Sequence, residues 1–216
     1  MSTSVELFEQ LEFMENPFYE KIISGLLEDQ YCIIEGFFGL EEVAVLRKSL
    51  LDKYEKDDFK KAAIGNRTNE NIERSVRGDY ILWINEADSG EAERIFFNKL
   101  NSLIEYLNKT CFLGILQKEF HYALYPEGTF YKRHCDTFQN DDRRKLSLVC
   151  YLNNEDWKPE NGGELVIYKE ENGIEVAKNI FPLPGRVVIF ESQMLEHEVK
   201  PVKTPRLSIT GWLKTR

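Results

Sequence analysis

The chain has 216 residues, enough for one domain or for one domain with a helical extension. Its 28 Lys and Arg against 37 Asp and Glu leave a net charge of −9, a field that disfavours nucleic acid and anionic lipid as partners. No apolar run approaches the roughly 20 residues that span a bilayer, and "MSTSVELFEQLEF" lacks the basic start and apolar core of a signal peptide, so a cytoplasmic protein is expected.

The first quarter reads as helix. Thr3 and Glu6 fit a capping box, with Leu7, Phe8 and Leu11 at helical spacing behind them. Asn16-Pro17 fits an N-cap followed by proline in the first turn, which starts a second helix carrying Phe18, Ile22, Ile23 and Leu26. "YCIIE" (31–35) is a short strand, and Val43, Leu46, Leu50 and Tyr54 then mark one stripe of a longer helix. "KKAAIGNRTNENIER" (60–74) is polar and aperiodic, which predicts a mobile loop. Strand "YILWI" (80–84) follows, then a helix from about Gly90 to Lys109 with Phe96, Leu100, Leu103 and Leu107 inward.

From Lys118 the chain is nearly all β. "FHYALY" (120–125), "LSLVCYL" (146–152), "ELVIY" (164–168), "IEVAKNIF" (174–181), "RVVIF" (186–190) and "RLSITGWL" (206–213) are strand-like runs separated by turn signals. Asn172-Gly173 is the clearest hairpin signal. Helices first and many short strands later predict an α+β fold, a jelly-roll core braced by N-terminal helices. Residues 1–30 are expected to form a helical extension and 31–216 the working domain. The four cysteines lie far apart without a CxxC pair, so neither a zinc ribbon nor a disulfide framework is expected; Cys32 and Cys150 read as small core residues.

His134 and Asp136 stand at i and i+2 in "YKRHCDTF", which on extended backbone puts both side chains on one face. With 37 acids in 216 residues, an acid falls two places after a given histidine roughly one time in six, so the pair alone carries little weight. His197, in "LEHEVKP" just after strand "RVVIF", is the one other histidine near the β-rich half's strand ends apart from His121. Two histidines and a carboxylate would leave three positions open on an octahedral Fe(II), but the same set also serves zinc.

Arg206 opens the last strand, nine residues after His197. Alternation puts Arg206, Ser208, Thr210 and Trp212 on one face and Leu207, Ile209 and Leu213 on the other. The apolar face belongs under the helices, so the arginine points into the barrel. A buried guanidinium needs an anion, and that strand face offers no acid. A small-molecule carboxylate held bidentately is the natural partner. Tyr151 and Tyr125 fall on inward faces by the same alternation, as does His121, read as a pocket or core histidine. An open metal site beside a carboxylate-binding arginine describes a 2-oxoacid site.

The order HxD, distal His, then Arg resembles the Fe(II)/2-oxoglutarate dioxygenases, and within them the prolyl hydroxylases of the HIF type and their bacterial relatives. "RGDYILW" (77–83), "LYPEGTFYKRHCD" (124–136), "YLNNEDW" (151–157), "GGELVIY" (162–168) and "HEVKPVKTPRLSITGW" (197–212) carry the likeness, which extends from about Tyr31 to Leu213. The resemblance implies a double-stranded β-helix that uses Fe(II), 2-oxoglutarate and dioxygen, with ascorbate as a reductant, and that releases succinate and carbon dioxide. His134, Asp136 and His197 would hold iron. Arg206 and Tyr151 would hold the distal carboxylate, with Tyr125 and Thr210 lining that pocket. Tyr131, Arg77, Asp79 and Trp212 would stand near the substrate entrance, and the 60–74 loop would close over a peptide. His121 departs from the family pattern, where an apolar residue is expected. The implied substrate is a prolyl residue in a protein, with elongation factor Tu the first candidate and ribosomal proteins next; a monomer is expected. A dioxygenase of a free amino acid or other small molecule, and a non-catalytic sensor or zinc-loaded jelly roll, are the competing readings.

Overall fold

The computed structural model describes residues 15–62, 73, 75–137 and 143–215. The helix expected around Leu7 lies outside them, as does most of the 60–74 segment. α1 (Pro17–Asp29) starts where the sequence says it should: the Asn16 side chain accepts from Phe18 N–H at 3.0 Å and Pro17 occupies the first turn. It ends at Gln30, which turns left-handed while its N–H still bonds Leu26. α2 (Leu40–Glu55) buries Val43, Leu46 and Leu50 along one stripe. α3 (Glu91–Cys111) buries Phe96, Leu100, Leu103 and Leu107, the expected set, together with Phe97. None of these helices is long and apolar enough to cross a membrane.

Eleven strands form two antiparallel sheets among the described residues. The larger has the order β1 (Tyr31–Ile34), β9 (Val187–Glu191), β6 (Arg144–Tyr151), β11 (Arg206–Lys214), β4 (Gln117–Tyr125), β3 (Tyr80–Ile84) and β2 (Lys60–Lys61). The smaller runs β5 (Tyr131–His134), β10 (Glu196–Val199), β7 (Leu165–Glu171) and β8 (Ile174–Ile180). The sheets face each other as a double-stranded β-helix, the jelly roll that the strand pattern predicts.

Side-chain alternation sorts the core into two layers. Ile22, Leu46, Leu50 and Phe96 from the helices meet Leu207, Ile209, Leu213, Leu148, Cys150 and Ile189 from the outer face of the large sheet. Between the sheets, Ala123, Val149, Tyr151 and Phe190 meet Leu165, Ile167 and Val199. Arg206, Ser208 and Thr210 therefore point between the sheets, as their spacing requires. The β7–β8 hairpin turns on Asn172 and Gly173 with φ of 53° and 77°, the two positive values that an Asn-Gly turn supplies cheaply.

Two expectations change. Lys60 and Lys61 pair with Ile81 and Tyr80 as an edge strand rather than opening a loop, because β3 leaves its outer edge free to accept them. His197 does not trail β9. That strand ends at Glu191, the chain turns, and His197 sits inside β10 in the opposite sheet.

Candidate active site

The smaller sheet builds the metal set. β10 runs antiparallel to β5, and their register places His197 directly across from His134. Asp136 follows β5 in the next bend and turns its carboxylate between the two rings. Its Oδ1 lies 3.5 Å from His134 Nε2 and its Oδ2 3.6 Å from His197 Nε2. One donor atom from each of the three lies within 4.8 Å of the others, a spacing that suits a shared metal ion.

Each ligand is oriented from behind. His134 Nδ1–H donates to the Lys132 carbonyl at 2.7 Å and His197 Nδ1–H to the Leu195 carbonyl at 3.3 Å, which leaves both Nε2 lone pairs facing inward. The Ser147 hydroxyl donates to Asp136 Oδ2 at 2.6 Å, and Ser192 bonds Ser147 at 2.8 Å. Burial pulls His197 down to about 4 against the opposing pull of Asp136, so the imidazole is neutral, the form that binds metal. Burial pushes the Asp136 carboxyl up, but His197, His134 and Ser147 outweigh it and hold the group ionised.

The side chains of Tyr131, Arg77 and Asp79 form a stack on the metal set. The Tyr131 ring lies on His134 with centroids 3.7 Å apart and 19° between planes. The Arg77 guanidinium lies over the Tyr131 ring at 4.3 Å and is held by Asp79 through two bonds of 2.8 and 2.6 Å. Arg77 and Tyr131 line the cavity, whereas buried Asp79 stands behind Arg77 and fixes it.

A cavity of about 590 Å³ opens from the metal set between the sheets. His134, Asp136 and His197 lie on its wall together with Arg206, Tyr125, Thr210 and Trp212. Arg206 is 2% exposed, its guanidinium 5.0 Å from the ring centres of both Tyr125 and Tyr151. It forms no salt bridge among the described residues. Among the described residues Arg206 Nε and Tyr151 Oη have no hydrogen-bond partner, and Arg206 Nη1 reaches Ser208 Oγ at 3.5 Å. Burial keeps the two phenols neutral by raising their pKa values. A buried cation beside orphaned donors is costly unless an anion completes it, so these residues fit the carboxylate of 2-oxoglutarate. Gly163 makes room for the arginine: a Cβ there would come within 2.5 Å of Val202 Cγ1 and 3.1 Å of Arg206 Cδ.

Sequence reasoning overlooked three contributors. Ser147 shares the inward face of β6 with Tyr151, but its bond to Asp136 has no local trace. Arg144 donates to the Asp136 carbonyl at 2.8 Å and lays its guanidinium 3.5 Å over the Trp212 ring. Trp83 also lines the cavity. Alternation places Ser147 and Trp83 inward, but Arg144 has the parity of the outward Leu146 and enters the cavity only because the β6–β11 register shifts at its start, and nothing local identifies any of their partners. Glu196 is exposed and engages Arg133, and Glu198 bonds Lys200, so neither competes for the metal. Burial raises the Cys135 thiol, which keeps it protonated between the two ligands.

Residues 120–214 match the model of the 2OG-Fe(II) oxygenase superfamily. A PKHD-type hydroxylase of Synechococcus sp. (strain CC9605) is 37% identical over 90 residues, 41% of this chain and 38% of that protein's length. The chain thus spans well under half of that relative. Two solved structures cover nearly everything. A prolyl-4-hydroxylase from Pseudomonas putida superposes with a TM-score of 0.81 at 32% identity, over 93% of this chain and 100% of that one. A prolyl hydroxylase in complex with a hypoxia inducible factor peptide fragment, from Trichoplax adhaerens, superposes with a TM-score of 0.82 at 28% identity, over 100% of this chain and 94% of that one. A site for Fe(II) and 2-oxoglutarate, a fold shared end to end and this level of identity lead to one conclusion: the chain belongs to the 2OG-Fe(II) prolyl hydroxylase family.

Proposed function

We propose that the protein hydroxylates a prolyl residue of a protein substrate, consuming 2-oxoglutarate and dioxygen and releasing succinate and carbon dioxide, with elongation factor Tu the first candidate. The single observation that carries this is the buried Arg206, with no carboxylate partner among the described residues, on the wall of a cavity that also holds His134, Asp136 and His197. It supports a carboxylate co-substrate beside the metal set, which with the family match favours 2-oxoglutarate chemistry over zinc hydrolysis.

In this reading His134, Asp136 and His197 hold Fe(II). Bound there with 2-oxoglutarate, iron supplies the activation of dioxygen needed to oxidise an unactivated C–H bond. The protein's own part is placement. Arg206 and Tyr151 grip the distal carboxylate, Tyr125 and Thr210 wall the co-substrate, and Ser147 fixes the Asp136 carboxylate. Tyr131 and Arg77 shield the outer face of His134, while Phe190 meets His197 edge-on at 4.7 Å and keeps its far side dry. Arg77, Tyr131 and Trp212 form the rim at which a prolyl chain would arrive. The likeness to an enzyme whose structure holds a bound peptide supports a polypeptide substrate over a free amino acid. The cytoplasm, a single-chain state and the division at residue 30 belong to the same proposal.

The test is to incubate the Fe(II)-loaded chain with 2-oxoglutarate and purified elongation factor Tu, then map the partner's peptides by mass. One proline carrying a single added oxygen, absent with His134→Ala, is the expected result. Modification that persists in His134→Ala would overturn the reading.

A further inference from the structure

His121 lines the cavity without touching the residues proposed to hold iron or 2-oxoglutarate through any bond described above. β4 puts its ring on the cavity face with Ala123 and Tyr125, across from Thr210 of β11 and Trp83 of β3. Trp83 meets the imidazole edge-on, with centroids 4.9 Å apart, and Trp212 tilts against it at 5.7 Å. His121 is 3% exposed. Two polar atoms of this cluster have no partner among the described residues: His121 Nδ1 and Trp212 Nε1.

Each orphan costs about 1–3 kcal/mol of uncompensated desolvation. The orphaned atoms of Arg206 and Tyr151 are accounted for by a co-substrate carboxylate; those of His121 and Trp212 are not. An apolar side chain at 121 would have removed the cost, as Ala123 and Val149 do elsewhere on the same wall. Two unmet hydrogen-bonding atoms, on rings 5.7 Å apart that both line the cavity, call for a ligand with matching polarity.

We propose that His121 and Trp212 form a specificity pair that binds one peptide group of the substrate, so that the target is selected through a backbone amide beside the oxidised residue. The indole N–H can only donate and takes the carbonyl. Burial draws the His121 pKa down to about 3, with Arg77 adding to the effect, so the ring stays neutral and keeps one acceptor nitrogen for the amide N–H. A peptide group is a compact unit that offers both an acceptor and a donor. A free amino acid would instead bring an ammonium and a carboxylate, two full charges for which this neutral pair supplies no counter-charge. Half-exposed Trp83 covers the imidazole's edge, so the ligand reaches it past that indole. His121 in this account discriminates between substrates and takes no part in the chemistry.

The inference rests on the proposed peptide substrate, and its test is kept separate from turnover. The full chain is loaded with Zn(II) and 2-oxoglutarate, which together do not react, and titrated with N-acetylproline N-methylamide or its methyl ester while tryptophan fluorescence is followed. The ester keeps the carbonyl and loses the N–H. The unaltered protein should bind the amide about tenfold tighter than the ester, the weight of one hydrogen bond. His121→Leu should bind the amide about tenfold more weakly and lose the preference. His121→Asn, which keeps a polar atom near the Nδ1 position, should restore part of it. The proposal fails if the unaltered protein binds neither probe or both alike, or if His121→Leu keeps the preference. Should His121→Leu not fold, the amide-to-ester ratio of the unaltered protein and of His121→Asn still decides. Failure here leaves hydroxylation of elongation factor Tu untouched, and failure with that protein leaves the amide preference standing.

Discussion

At the scale of single residues, the site depends on groups that fix other groups. Ser147 holds Asp136 Oδ2 from behind, so Ser147→Ala should weaken metal affinity about ten- to hundredfold while the fold persists. Titration with Mn(II) measures this; unchanged affinity would show the hydroxyl to be dispensable. His121 gives a pH signature of its own. Its folded pKa of about 3 lies below the unfolded value of about 6.5, so the unfolded chain binds the extra proton first as pH falls. The stability is whole above about pH 6.5 and drains away as pH drops toward 3. Between pH 7 and 5 the unaltered protein should lose about 2 kcal/mol more than His121→Asn, read from urea unfolding at the two pH values. Equal losses would mean that the buried imidazole is not held neutral.

At the scale of elements, legibility follows the length of the pattern. β11 spans nine residues and alternates cleanly, so its inward arginine could be read from spacing alone. β5 and β10 span four residues each, and "YKRH" and "EHEV" carry no apolar alternation, so neither shows itself as a strand. Their pairing sets His197 against His134, yet that register is a contact between distant segments with no local trace. The same holds for Arg144, which reads as a charge before an apolar run and finds its role only on the Trp212 ring. The β7–β8 hairpin was legible because Asn172-Gly173 is a local signal, and it lies at the outer end of the small sheet. Gly173→Val would force a β-branched residue to φ of 77° and cost about 1–3 kcal/mol. Melting should drop accordingly while Mn(II) affinity stays within about twofold. A parallel fall in metal affinity would mean that the hairpin supports the metal set through β10.

At the scale of the molecule, the two apolar layers stand apart from the polar cavity. Chelated protein should therefore keep its far-ultraviolet circular dichroism. Mn(II) at about a hundred times its dissociation constant should add about 2.7 kcal/mol of stability. 2-Oxoglutarate should add more when the metal is present, because it completes Arg206 and the metal's open positions together. Unfolding on chelation would contradict the separation of core from site. The acidic net charge and the cavity rim belong to this scale as well. The net charge of −9 disfavours a polyanionic partner, and Arg77 at the entrance, ion-paired with Asp79, adds no net positive charge to offset it.

The proposed chemistry depends most on Arg206 as the seat of a carboxylate co-substrate. The direct measurement is succinate release by the Fe(II)-loaded chain across a range of 2-oxoglutarate concentrations, for the unaltered protein and for Arg206→Gln. Removing one partner of a buried charge pair costs at least about 2–3 kcal/mol, so the variant should need about a hundredfold more 2-oxoglutarate, or release no succinate at any concentration. An Arg206→Gln protein that releases succinate with the unaltered protein's rate and concentration dependence would contradict it.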